Sequence, residues 1–108
     1  MVLPPKHVYS AIVKNLTSKA VQVRALYAMP DNSPDVETVL SINAGESATL
    51  EQKIVELSTF SATAHIRHVE VVGGAALTAP FDGVASPVKD YLLEISEQNG
   101  VVQLRGSV

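Results

Sequence analysis

The chain contains no cysteine. That excludes disulfides, thiol catalysis and thiolate metal sites, and it fits a reducing compartment. Charge is scarce, at 18% of residues against about 25% in an average soluble domain. The eight lysines and arginines are scattered from Lys6 to Arg105 without a run. Nucleic acid selects clustered basic residues that displace counterions, and an anionic membrane surface selects a polybasic patch. Neither pattern is present. No apolar stretch approaches the roughly 18 residues of a membrane helix. The opening residues, Met1-Val2-Leu3-Pro4-Pro5-Lys6, lack the basic and apolar regions of a secretory signal, and position 2 is not the glycine that myristoylation requires. These absences give the expectation of a cytoplasmic protein with no nucleic-acid or membrane partner.

What remains is 46% hydrophobic in 108 residues, with a net charge of −3. That composition supports a single domain over residues 1–108, with 1–6 as a short tail. Such a domain buries roughly 60–70% of its unfolded surface and needs no metal or disulfide to fold.

The hydrophobic pattern has the period of strands. Val21, Val23, Ala25, Tyr27 and Met29 alternate with Gln22, Arg24, Leu26 and Ala28, which describes a half-buried strand. His7 to Val13 is also strand-like, and Lys14 to Lys19 is rich in turn formers, so the two stretches read as a hairpin. Pro30 to Asp35 is a loop, because its two prolines cannot continue a ladder. Val36, Thr38, Leu40 and Ile42 then share a face, and Gly45 follows at a turn. Residues 47–57 fit either a strand or a short helix; their neighbours favour strand. Phe60, Ala62, Ala64 and Ile66 share one parity, while Val69 and Val71 take the other. That phase change predicts a β-bulge near His68, or a strand that passes between sheets. Ala75–Ala79 suits a short strand, and Pro80–Pro87 a loop with a tight turn at Asp82-Gly83. Asn99-Gly100 marks a C-terminal hairpin spanning residues 88–105.

Seven or eight strands with turns every 8–12 residues or so predict an all-β, antiparallel β-sandwich. In architecture the pattern resembles immunoglobulin and fibronectin domains. The Cys and Trp of antibody-type domains are absent, and the resemblance carries no functional motif.

No constellation points to catalysis. There is no G-x-S-x-G elbow, no G-x-G-x-x-G and no phosphate loop, and Gly73-Gly74 reads as a turn. His65 and His68, three apart on a strand, point to opposite faces unless a bulge rotates one. His68 and Glu70 share a face, and His7 could lie nearby; together they form a candidate zinc set. Asp31, Asn32, Ser33 and Asp35, with Asp82 or Asp90, form a candidate calcium set of the kind found in sandwich end loops. Turn chemistry accounts for those loop residues equally well. Asn15-Leu16-Thr17 matches a glycosylation acceptor but, without a secretory signal, also reads as turn chemistry. No residue is assigned as catalytic, cofactor-binding or metal-binding.

The segment Val69 to Phe81 carries a single charge, Glu70. It is either buried in a central sheet or a surface for a protein partner or a second copy of the chain. The leading expectation is therefore a non-enzymatic β-sandwich for protein interaction or assembly. A metal- or small-ligand-binding sandwich is the alternative, and a small hydrolase or isomerase the third reading.

Overall fold

The computed structural model describes residues 7–29, 34–56, 61–79, 81, 83–84 and 87–107. Among these the chain forms β1 (Ala11–Asn15), β2 (Val21–Ala28), β3 (Val36–Ile42), β4 (Ser47–Leu50), β5 (Lys53–Glu56), β6 (Ser61–Val71), β7 (Ala76–Thr78), β8 (Tyr91–Gln98) and β9 (Val101–Ser107), with no helix. One sheet has the order β4-β1-β8-β9. The other runs β3-β2-β6-β5, with β7 also on β6. The protein is thus all-β in two sheets sharing one core.

That core follows from the alternation. Val23, Ala25 and Tyr27 of β2 pack with Ala64, Ile66, Val69 and Val71 of β6, and with Val13, Leu93 and Ile95 of the opposing sheet. Between Ile66 and Val69 the inward parity changes. Tyr27 pairs with Ile66 but Leu26 pairs with His68, so Arg67 is the extra residue of a bulge. This is the predicted phase change, with the bulge next to His68 as expected.

Two expectations need correction. The stretches around 7–13 and 21–29 do not form a hairpin: β1 pairs with β4 and β8, whereas β2 pairs with β3 and β6. The intervening polar residues arch from one sheet to the other. Alternation identifies a strand's buried face but not its neighbour. The pairing is also not wholly antiparallel, because β1 runs parallel to β8. Residues 47–56 are extended, but as two strands in different sheets, bent at Glu51-Gln52; Leu57 lies outside the described residues. The expected turn at Asp82-Gly83 is described only at Gly83, which has positive φ.

Side-chain chemistry fixes the corners. Asn15 is fully buried in the arch. Its Nδ2 donates to the carbonyls of Lys19 (2.8 Å), Ile42 (3.0 Å) and Asn43 (3.2 Å). Its Oδ1 accepts from the Thr17 amide (3.0 Å) and hydroxyl (2.7 Å). One amide thereby joins the β1–β2 arch to the end of β3. At the β4–β5 bend, the buried Tyr27 hydroxyl donates to the Glu51 carbonyl at 2.8 Å, with the Lys53 ammonium 4.9 Å from the ring centre. Burial, reinforced by the Glu51 charge, pushes the Tyr27 hydroxyl up to about 12. The C-terminal hairpin turns on Asn99 and Gly100, both at positive φ, as a type I′ turn requires.

Candidate functional site

The sequence before β1 stitches the sheets together. The Ile66 amide of β6 donates to the Val8 carbonyl at 2.7 Å. On the other side, the Tyr9 amide donates to the Val88 carbonyl, and the Val88 amide to the His7 carbonyl, each at 2.9 Å. The strap 7–10 therefore lies between β6 and the residues leading into β8. It also places the His7 ring against His65, parallel within 2° and 3.8 Å apart between centroids.

The bulge at Arg67 has a consequence for the histidines. His65 pairs with Ala28 and His68 with Leu26, and Leu26 and Ala28 both lie on the outer side of β2. The shift thus turns His65 and His68 to the same face, the condition a shared ligand would need. They nevertheless do different things. His68 Nδ1 lies 3.0 Å from Thr78 Oγ1, while His65 stacks on His7. A metal must lie near the plane of each imidazole that binds it, and two parallel stacked rings have no common in-plane point. Glu70 instead accepts from Arg24 at 2.7 Å. Among the described residues no three His, Asp or Glu side chains converge as a metal set. Burial, then the neighbouring His7 charge, lowers the His65 proton affinity; Asp35 opposes that shift and Arg67 adds to it.

The loop carboxylates are dispersed where they can be seen. Asp35 is ion-paired with Arg67. Asp90 takes positive φ, and its amide donates to Ser10 Oγ at 2.8 Å. Asp31, Asn32, Ser33 and Asp82 lie outside the described residues.

The charge-poor segment 69–81 forms the end of β6, a turn through Gly73-Gly74, and β7. Val69, Val71 and Phe81 are in the core, and Ala75, Leu77 and Ala79 pack partly against it. Of its large hydrophobic side chains, Val72 is the one conspicuously exposed, at 53%. Burial explains the lack of charge at Val69, Val71 and Phe81, while Val72, Gly73, Gly74, Ala76 and Thr78 are exposed.

A cleft of about 460 Å³ opens at one end, between the β1–β2 arch and the β6–β7 and β8–β9 turns. Val21, Val71 and Val102 line it, with Lys19 and Glu97 among its polar members. The Thr17 hydroxyl within it is committed to Asn15 and to the Lys19 carbonyl. The three histidines are not among its lining residues.

The strand edges were not singled out by sequence pattern. The second edge of β6 is fully used: β5 pairs with 61–64, the strap bonds Ile66, Ala79 bonds the Arg67 carbonyl, and β7 pairs with 68–70. By contrast β3, seven residues long, pairs on one side with β2. Among the described residues no strand pairs with its other side. It contains one charge, Glu37, which accepts from Arg24 at 2.8 Å while Arg24 also holds Glu70. These two carboxylates, Glu70 first, bind the Arg24 proton more firmly than usual. Val36 and Val39 on β3 are exposed. Natural edges are usually shortened or guarded by charged side chains, Pro or a bulge; of these β3 has one, the carboxylate of Glu37.

No protein-family model, curated protein or solved structure matches the chain.

Proposed function

We propose that this chain is a non-enzymatic β-sandwich that binds protein, and that it does so along β3. The single observation carrying the reading is the long β3 edge, which no strand covers among the described residues. Its outer amides and carbonyls supply main-chain hydrogen bonds to an added strand, and alternate side chains supply selectivity. The other seven-residue edge strand, β9, likewise pairs on one side, with β8, among the described residues, and serves as the comparison in the test. The immunoglobulin- or fibronectin-like comparison stays within this proposal as an analogy of architecture, and architecture assigns no partner.

The test is affinity capture from the cells that make the protein, with three baits: wild type, Val39→Lys, and Gln103→Lys on β9. A lysine on a strand edge disfavours pairing. Both positions are exposed, so melting curves should confirm intact folds. Wild type and Gln103→Lys should retain a bound protein, including another copy of this chain, that Val39→Lys loses. Equal recovery on all three baits, or none on any, refutes the reading.

A further inference from the structure

We infer that the strap 7–10 is an acid-opened latch: when the stacked rings of His7 and His65 are both protonated, the strap shifts towards release from β6 while the two sheets stay folded. The inference is independent of how β3 is used. Among the described residues, the strap is joined to β6 by one backbone bond, from the Ile66 amide to the Val8 carbonyl at 2.7 Å. Beside that bond the His7 ring lies flat on His65, 3.8 Å between centroids. The strap's other side is held more heavily. The Tyr9 and Val88 amides bond across it, and the Tyr91 amide donates to the Ser10 carbonyl at 3.0 Å. Ser10 Oγ accepts from the Asp90 amide at 2.8 Å and donates to the Asp90 carboxylate at 3.3 Å. The contact with β6 is thus the weaker side, and the histidine stack sits on it. Val8, buried in the core, favours the closed strap.

One charge on the pair meets a neutral ring, but two charges meet each other at van der Waals distance and repel. Three other polar groups face the stack. Tyr9 of the strap meets His7 edge-on. Arg67 of β6 adds to the repulsion at His65, and Asp35, just before β3, opposes it. Asp35 is itself ion-paired with Arg67, which leaves its charge partly spent. The closed strap therefore binds fewer protons than the open one. Closure is favoured above the ordinary histidine value of about 6.5 and weakens as pH falls below it. Release frees the Ile66 amide, in the gap on the β6 edge between the residues paired with β5 and those paired with β7. Acid thereby uncovers a main-chain donor that is covered at neutral pH.

Amide hydrogen exchange of the whole chain, followed residue by residue by NMR with the intrinsic pH dependence divided out, reads this opening directly. Between pH 7.5 and pH 5.0 the protection of Ile66 should fall by about 5- to 30-fold. The lower figure is the repulsion of two charges about 4 Å apart when fully screened by water; the upper is one proton taken up over roughly 1.5 pH units below the histidine value. Val71, whose amide is held on β6 by Ala75, and Tyr91, held by Ser10 on the strap's other side, should keep their protection. His7→Phe and His65→Phe each retain a ring for stacking but remove one charge, and each should make Ile66 protection flat across this range. His68→Ala removes the histidine that meets Thr78 instead and should leave the wild-type fall in place. Constant Ile66 protection in the wild type overturns the inference. So does an equal fall at Val71 and Tyr91, which would mean global unfolding, or a fall that persists in the phenylalanine variants.

Discussion

Replacing Asn15 tests whether one buried amide holds the arch that sends β1 and β2 into different sheets. In Asn15→Ala the Ile42 carbonyl loses its Asn15 donor, and the Thr17 amide loses its acceptor. The Lys19 carbonyl keeps the Thr17 hydroxyl at 2.9 Å. Two orphaned backbone groups at about 1–3 kcal/mol each imply a loss of roughly 2–6 kcal/mol. The total stability of such a domain is about 5–15 kcal/mol, and the melting temperature should fall by about 8–24 °C.

Asn15→Asp separates this account from simple loss of packing. One carboxyl oxygen can still accept from Thr17, but the other faces three carbonyls. Protonated, it can donate to one of them; ionised, it repels all three. The introduced carboxyl therefore holds its proton more tightly in the folded state than in the unfolded one. Its contribution is fully present below the unfolded value of about 3.9 and is lost as pH rises through the folded value. Thermal unfolding followed by circular dichroism at pH 4 and pH 8, each relative to wild type, should show a larger deficit at pH 8 for Asn15→Asp and equal deficits for Asn15→Ala. A melting temperature within about 3 °C of wild type for Asn15→Ala, or a pH-independent deficit for Asn15→Asp, would refute the reasoning.

Gly106 lies beneath the ring of Tyr91, and a Cβ there would come within 2.5 Å of Tyr91 Oη and 2.6 Å of a ring carbon. Gly106→Ala should cost about 1–3 kcal/mol in urea unfolding, and the added cost should vanish in a Tyr91→Ala background; an undiminished cost would place the strain elsewhere. His65 gives a pH dependence with a definite sign. Burial and His7 lower its folded proton affinity, so the folded state binds fewer protons and stability declines as pH falls below about 6.5 towards the folded value. Asp35 and Arg67 face the same ring with opposing effects. His7→Ala should flatten the acid side of the stability profile, and an unchanged slope would count against the stacked pair as its source.

The alternation in Val21–Met29 determined which side of β2 is buried, and Tyr27 duly fills the core. The parity change between Ile66 and Val69 announced a bulge, since a strand cannot bury both sets without an extra residue. Asn99-Gly100 fixed its hairpin because both positions take positive φ with little penalty. These are local properties, written in the chemistry of a few adjacent residues. Strand partnership is not local. Only the folded chain decided that β1 lies parallel to β8, that the strap 7–10 brings His7 onto His65, and that residues 47–56 divide between two sheets. The same holds for the candidate site. The lack of charge in residues 69–81 was visible at once, but only the fold shows that Val69, Val71 and Phe81 are in the core while Val72 is exposed. The edge left unpaired among the described residues belongs to β3, whose sequence is unexceptional and whose exposure depends on which strands lie beside it. A strand carries the same amides and carbonyls wherever it sits; tertiary pairing alone determines which of them are left for a partner.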